Sequence, residues 1–108
     1  MHRQPNLVAR LFAAVLALTA GGAAQGQERH GRALLKQYCA SCHAIGRTGR
    51  SPMRSAVPFR TLGRSFDLDE FPRLLRRGVS STHPAMPEFK FSDDDARAVT
   101  EYLRSIQR

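Results

Sequence analysis

Tryptophan is absent from this chain, tyrosine occurs twice, and there are only two cysteines, Cys39 and Cys42. Cysteines that close in sequence join only a trivial loop, so no disulfide framework staples the chain. A structural zinc site wants four ligands, and no second C-x-x-C is present to supply them. Acidic residues are scarce: 9 Asp and Glu stand against 17 Lys and Arg, for a net charge of +8 in 108 residues. The longest apolar run, Leu11–Ala20, is interrupted only by Thr19 and has 10 residues, whereas a transmembrane helix needs about 20. Strand-like alternation, internal repeats and low-complexity tracts are all missing. The fold class is therefore all-α.

What is present begins with a leader pattern. Arg3 and Arg10 come with no acidic residue, the apolar run follows, and small residues (GGAAQG) fill 21–26. Positive, then apolar, then small is the order of a secretory signal peptide. The reading is a leader over residues 1–26, cleaved near 24–26, and one domain over 27–108; the alternative is a retained N-terminal anchor. Removing Arg3 and Arg10 leaves +6. A basic surface suits nucleic acid, an anionic membrane or an acidic protein. Export and the lack of any RNP-like or helix-turn-helix pattern argue against nucleic acid.

Three helices are legible in the exported part. Leu34, Leu35 and Tyr38 give a narrow apolar stripe and predict a helix from about Arg29 to Cys42. Asp67–Arg77 holds a second, closed by Gly78; Asp67 and Glu70 resemble a cap, but Pro72 then falls inside the helix, so a start nearer Pro72 competes. Ser92 and Asp95 form a capping box for the third, whose apolar face is Val99, Tyr102, Leu103 and Ile106. Between Ala44 and Ser65 the breakers Gly46, Gly49, Pro52, Pro58 and Gly63 predict irregular chain. So long an irregular stretch in so small a domain needs something bulky to wrap.

Cys39-Ala40-Ser41-Cys42-His43 supplies the candidate. C-x-x-C-H is the attachment pattern of c-type haem. Two thiols roughly one helical turn apart can add to the two vinyl groups of one porphyrin. The histidine that follows can reach the iron. A thioredoxin-like C-x-x-C would need a βαβ setting, which is lacking. For the sixth iron position the sequence offers Met86, in the proline-stiffened run His83-Pro84-Ala85-Met86-Pro87, with His83 and Met53 as competitors. The rigid strap favours Met86, because little entropy is lost on ligation.

Gly31-x-x-Leu34-Leu35, Cys39-x-x-Cys42-His43 and Val99-x-x-Tyr102-Leu103 together resemble a class I c-type cytochrome of the short bacterial type. The resemblance runs from about Gly31 to Ile106. It implies a cytochrome c fold, with three or more helices wrapped around one covalently bound haem c and its iron. It also implies that Gly31 and Tyr102 mark a helix crossing and that the Pro52 carbonyl holds the ligand histidine. The irregular region around Pro72 and an arginine-rich rather than lysine-rich surface are departures from the family pattern.

Apolar residues of the middle segment then become candidate pocket walls: Phe59, Leu62, Phe66 and Phe89 first, with Ile45, Val57, Leu74, Leu75, Val79 and Phe91. Arg47, Arg50, Arg54 and Arg60 are candidates to pair a haem propionate, and His30 reads as a surface helix residue. With His43 and Met86 as axial ligands, no iron position is open to substrate, which fits electron transfer rather than enzyme catalysis. The expectation is a monomeric periplasmic one-electron carrier with redox protein partners, acidic ones fitting the charge, and possible contact with a membrane complex. A haem subunit of a larger oxidoreductase, or a haem sensor or weak peroxidase with a displaceable methionine, is the alternative.

Overall fold

The computed structural model describes residues 7–79 and 83–108, and side chains from residue 22 onward. Residues 1–6 of the expected leader, Arg3 among them, lie outside the described part. Helix α1 spans Leu7–Tyr38, a 3-10 helix spans Phe59–Arg64, α2 spans Phe71–Arg77 and α3 spans Asp93–Ile106. An isolated antiparallel bridge between Val79 and Phe89 is the only extended pairing among the described residues. The fold is all-α.

Helix α1 starts well before Arg29 and stops before Cys42, so both expected boundaries move. Its earlier part is rich in Ala and Leu, strong helix formers that carry the backbone through Gly21, Gly22 and Gly26. At the other end the amides of Cys39 and Ala40 both donate to Leu35 O, at 2.8 and 3.1 Å. Cys42 and His43 then donate to Cys39 O at 3.2 and 2.9 Å. The attachment motif thus sits on tight turns beyond the helix end.

The middle stretch is less irregular than its breakers predict. Pro58, with φ fixed at −66°, caps the 3-10 helix. That short form tolerates Gly63 and buries Phe59 and Leu62. Helix α2 begins at Phe71 with Pro72 in its first turn, where a missing amide costs nothing. The Asp67 carboxylate instead accepts from the Asp69 amide, a turn in front of the helix. Gly78 ends α2 at φ 119°, a left-handed conformation that other residues avoid.

Helix α3 forms as its capping box dictates. Ser92 Oγ accepts from the Asp95 amide at 3.2 Å, and Asp93, Asp94 and Asp95 complement the positive helix end. Its apolar face crosses α1 at Gly31. A Cβ added there would lie 2.9 Å from Val99 N and closer still to the Ala98 carbonyl. Only glycine permits that approach. Leu35 from α1, Val99, Leu103 and Ile106 from α3, and Phe71 and Leu75 from α2 form the core below the crossing. Tyr102 is buried there, and its hydroxyl donates to Ile45 O at 2.7 Å. At the end of α3 the Gln107 amide donates to Phe59 O and Leu103 O, both at 2.8 Å, and accepts from the Gly63 amide at 2.7 Å. This clamp fastens the 3-10 helix to α3.

Candidate functional site

The core does not close over these elements. A cavity of about 560 Å³ opens between them, within the size range of small-molecule and cofactor sites. Cys39, Cys42 and His43 form part of its wall; Met53, His83 and Met86 also line it. Phe59, Leu62, Phe66 and Phe89 line it, and so do Val57, Leu74, Leu75, Val79 and Phe91. Ile45 does not: it packs beside the core, and its carbonyl is taken by Tyr102. Residues from both helix junctions and the middle segment thus converge on one apolar space. Phe66 remains 50 % exposed, which leaves apolar surface unspent at this wall.

His43 is held in place from below. Its Nδ1–H donates to the main-chain carbonyl of Val57 at 2.7 Å, which fixes the tautomer and leaves Nε2 as the ring nitrogen with a lone pair, the one chemically able to bind a metal. The expected partner was the Pro52 carbonyl; the structure makes it Val57. The residue before a proline is held extended, and Val57 precedes Pro58, so its carbonyl turns away from local hydrogen bonding. Exposed Pro52 lies elsewhere in the loop, just before Met53, whose amide bonds Cys42 O at 3.1 Å. The Phe59 ring packs against the imidazole with centroids 4.5 Å apart. Neither Val57 O nor this ring contact has a sequence signal, because both come from the path of the loop.

The two thiols are free. Burial, and then the neighbouring Cys42, pushes the Cys39 thiol up to about 11. A thiol held protonated at neutral pH is a slow partner in disulfide exchange, which sets Cys39 apart from the activated thiol of a thioredoxin-type pair. No group of three or more His, Cys, Asp or Glu suited to a metal ion occurs among the described residues.

Another part of the wall is a strap. The Val79–Phe89 bridge closes its base with bonds of 2.7 and 3.2 Å, and the Phe91 amide ties its exit to Leu75 O at 3.0 Å. Within it the Met86 amide donates to His83 O at 3.1 Å. The Ala85 amide donates to His83 Nδ1 at 3.2 Å. Met86 is half-buried and His83 exposed. None of Arg47, Arg50, Arg54 or Arg60 lines the cavity; Arg47 and Arg60 reach main-chain carbonyls instead. His30 is exposed, as read, but its Nε2 lies 2.8 Å from Asp95 Oδ1 and links α1 to the start of α3.

These residues fit a covalently held haem: an apolar cavity, two thiols on its wall, and a histidine with one nitrogen already committed. Comparison with known proteins agrees. Residues 26–103 match the family model described as Cytochrome C oxidase, cbb3-type, subunit III. Cytochrome c-552 of Bradyrhizobium diazoefficiens is 32% identical over 79 residues, covering 72% of this chain and 73% of that protein. No solved structure matches the chain significantly. The chain belongs to this family of class I-like c-type cytochromes, electron carriers whose cofactor is covalently bound haem c with its iron.

Proposed function

We propose that the chain is exported to the periplasm and carries single electrons there, with haem attached through Cys39 and Cys42 and iron held between His43 and Met86. The observation that carries this is one shared cavity: both thiols, the oriented His43 and Met86 all line it. The bound iron supplies a reversible one-electron step. The protein's part is to hold its own groups still. Val57 O fixes the imidazole, and the bridged strap limits how far Met86 can travel. Phe59, Leu62 and Phe89 keep water from the cofactor, and an apolar surrounding raises the cost of the extra ferric charge. Met53 lines the same cavity, but its amide ties it beside Cys42, on the His43 side.

Export rests on the leader pattern, with residues 1–26 removed and 27–108 as the mature domain. The family match beginning at residue 26 supports that division, and cytochrome c domains are usually exported. No described helix is long and apolar enough to cross a membrane. Spectra of oxidised and reduced periplasmic material test the whole reading. A c-type spectrum with a far-red sulfur–iron band, and mass showing one macrocycle on a chain starting near residue 25–27, are expected. Rapid binding of carbon monoxide to the reduced protein at neutral pH would contradict closed His/Met ligation and favour a sensor or weak peroxidase.

A second reading, a haem subunit of a larger oxidoreductase, is favoured by the family description as an oxidase subunit and by half-exposed Phe66. Copurification with an enzyme would decide for it.

A further inference from the structure

The described part of the strap is drawn into a β-turn, His83-Pro84-Ala85-Met86, which the Met86 amide closes by donating to His83 O at 3.1 Å. Pro84 stands at its second position, where a fixed φ suits a turn. Among the described residues none but glycine has positive φ, which excludes the type II form and leaves type I. The first position of such a turn favours Asp, Asn or Ser, whose side chains accept the amide two residues on. In this chain it carries a histidine, and the ring does the same: His83 Nδ1 accepts from the Ala85 amide at 3.2 Å. Nδ1 is joined to the chain through Cβ and Cγ, as the side-chain oxygen of asparagine is, so the two atoms reach the same place. The bond has a second consequence. A neutral imidazole has one N–H and one lone pair. With Nδ1 accepting, the proton sits on Nε2, and neither nitrogen is left to bind a metal. His83 lines the cofactor cavity together with Met86, so a differently arranged ring would compete with the thioether for iron.

We propose that His83 is a positioning residue: its bond to the Ala85 amide holds the turn that presents Met86 and keeps the imidazole itself off the iron. The inference rests on the reading of His43 and Met86 as axial ligands. A thioether is a weak ligand, and it loses more of its hold if the chain around it must be ordered each time it binds. Pro87 confines Met86 to an extended backbone, and the Val79–Phe89 bridge fastens the base of the strap. The His83 ring secures the turn on the other side of Met86, so the ligand is flanked by constraints before iron is met.

The test uses the haem-loaded protein, with free imidazole as the probe that displaces Met86 from ferric iron and the far-red sulfur–iron band as the signal. His83→Ala removes the acceptor and should make imidazole bind about fivefold more tightly, the change that one ordinary hydrogen bond supports. His83→Asn puts an oxygen where Nδ1 was and should stay within about twofold of the unmodified protein. His83→Gln puts its amide where Nε2 was and should behave like the alanine variant. His83 is exposed, so the three substitutions leave the core intact. Tyr102→Phe, which loosens the α1–α3 crossing without touching the cavity wall, should not change imidazole affinity. Unchanged affinity in His83→Ala, rescue by glutamine rather than asparagine, or equal tightening in Tyr102→Phe would overturn the proposal. Met86→Ala separates the two readings. Loss of the band in that variant, with His83→Ala like the unmodified protein, sinks the positioning role alone. Retention of the band removes Met86 as ligand, and the role of His83 falls with it.

Discussion

The imidazole of His43 is anchored by the carbonyl of Val57, 14 residues further along, through a 2.7 Å hydrogen bond. The bond depends on a loop conformation that Pro58 holds at φ −66°. Pro58→Gly frees the backbone on both sides of that carbonyl, a change that costs on the order of 1 kcal/mol through the unfolded chain alone. The Nδ1–H of His43 should then exchange with solvent about fivefold faster. Proton NMR of the reduced protein measures this, and an unchanged rate would show that Val57 O is held by something other than the proline.

Thioether ligation raises the potential of haem iron relative to stronger donors. Met86→Ala should therefore lower the reduction potential, within the roughly 0.8 V that axial ligands span, and abolish the far-red band. Carbon monoxide should bind rapidly to the reduced variant. Retention of the band would transfer the ligand role to Met53, which lines the same cavity.

Gly31 has backbone where a side chain would go. Gly31→Ala should destabilise the haem-loaded protein by about 3 kcal/mol in denaturant unfolding, the upper end for overpacking, because main chain cannot rotate aside. Gly46→Ala is the matched control, since nothing lies within 4 Å of its added Cβ; it should shift the midpoint hardly at all.

Tyr102→Phe removes a 2.7 Å bond to Ile45 O and leaves that carbonyl unpaired under the α1–α3 crossing. A loss of about 1 to 2 kcal/mol is expected by thermal or denaturant unfolding, with the haem spectrum unchanged. A change in the spectrum would mean that Ile45 positions the attachment turn as well.

Much of this was legible from local chemistry. The thiol pair and His43 are adjacent in the chain, so covalent geometry alone keeps them together on one stretch of the cavity wall. The α3 cap is written in Ser92 and Asp95, three residues apart, and the structure forms it with a 3.2 Å bond. Gly78 and the start of α2 at Phe71 were likewise set by what proline and glycine permit. Other features depend on where the loop goes. Pro52 was the expected anchor for His43, and Val57 serves instead, because a carbonyl's direction is fixed by backbone path and any residue can supply it. The 3-10 helix over Phe59–Arg64 carries breakers that read as disorder of period, yet Gln107 fastens it from 44 and 48 positions away.

The sequence by itself determined the attachment motif, the all-α class, the helix caps and the excess of arginine, since each follows from residue chemistry over a few positions. Only the tertiary structure decided which carbonyl orients His43, that Met86 and the thiols share a cavity, and that Arg50, Arg54 and Arg60 line one depression. Those are relations between distant segments, and they exist only once α1 and α3 have crossed at Gly31 and the loops have closed around the space between them.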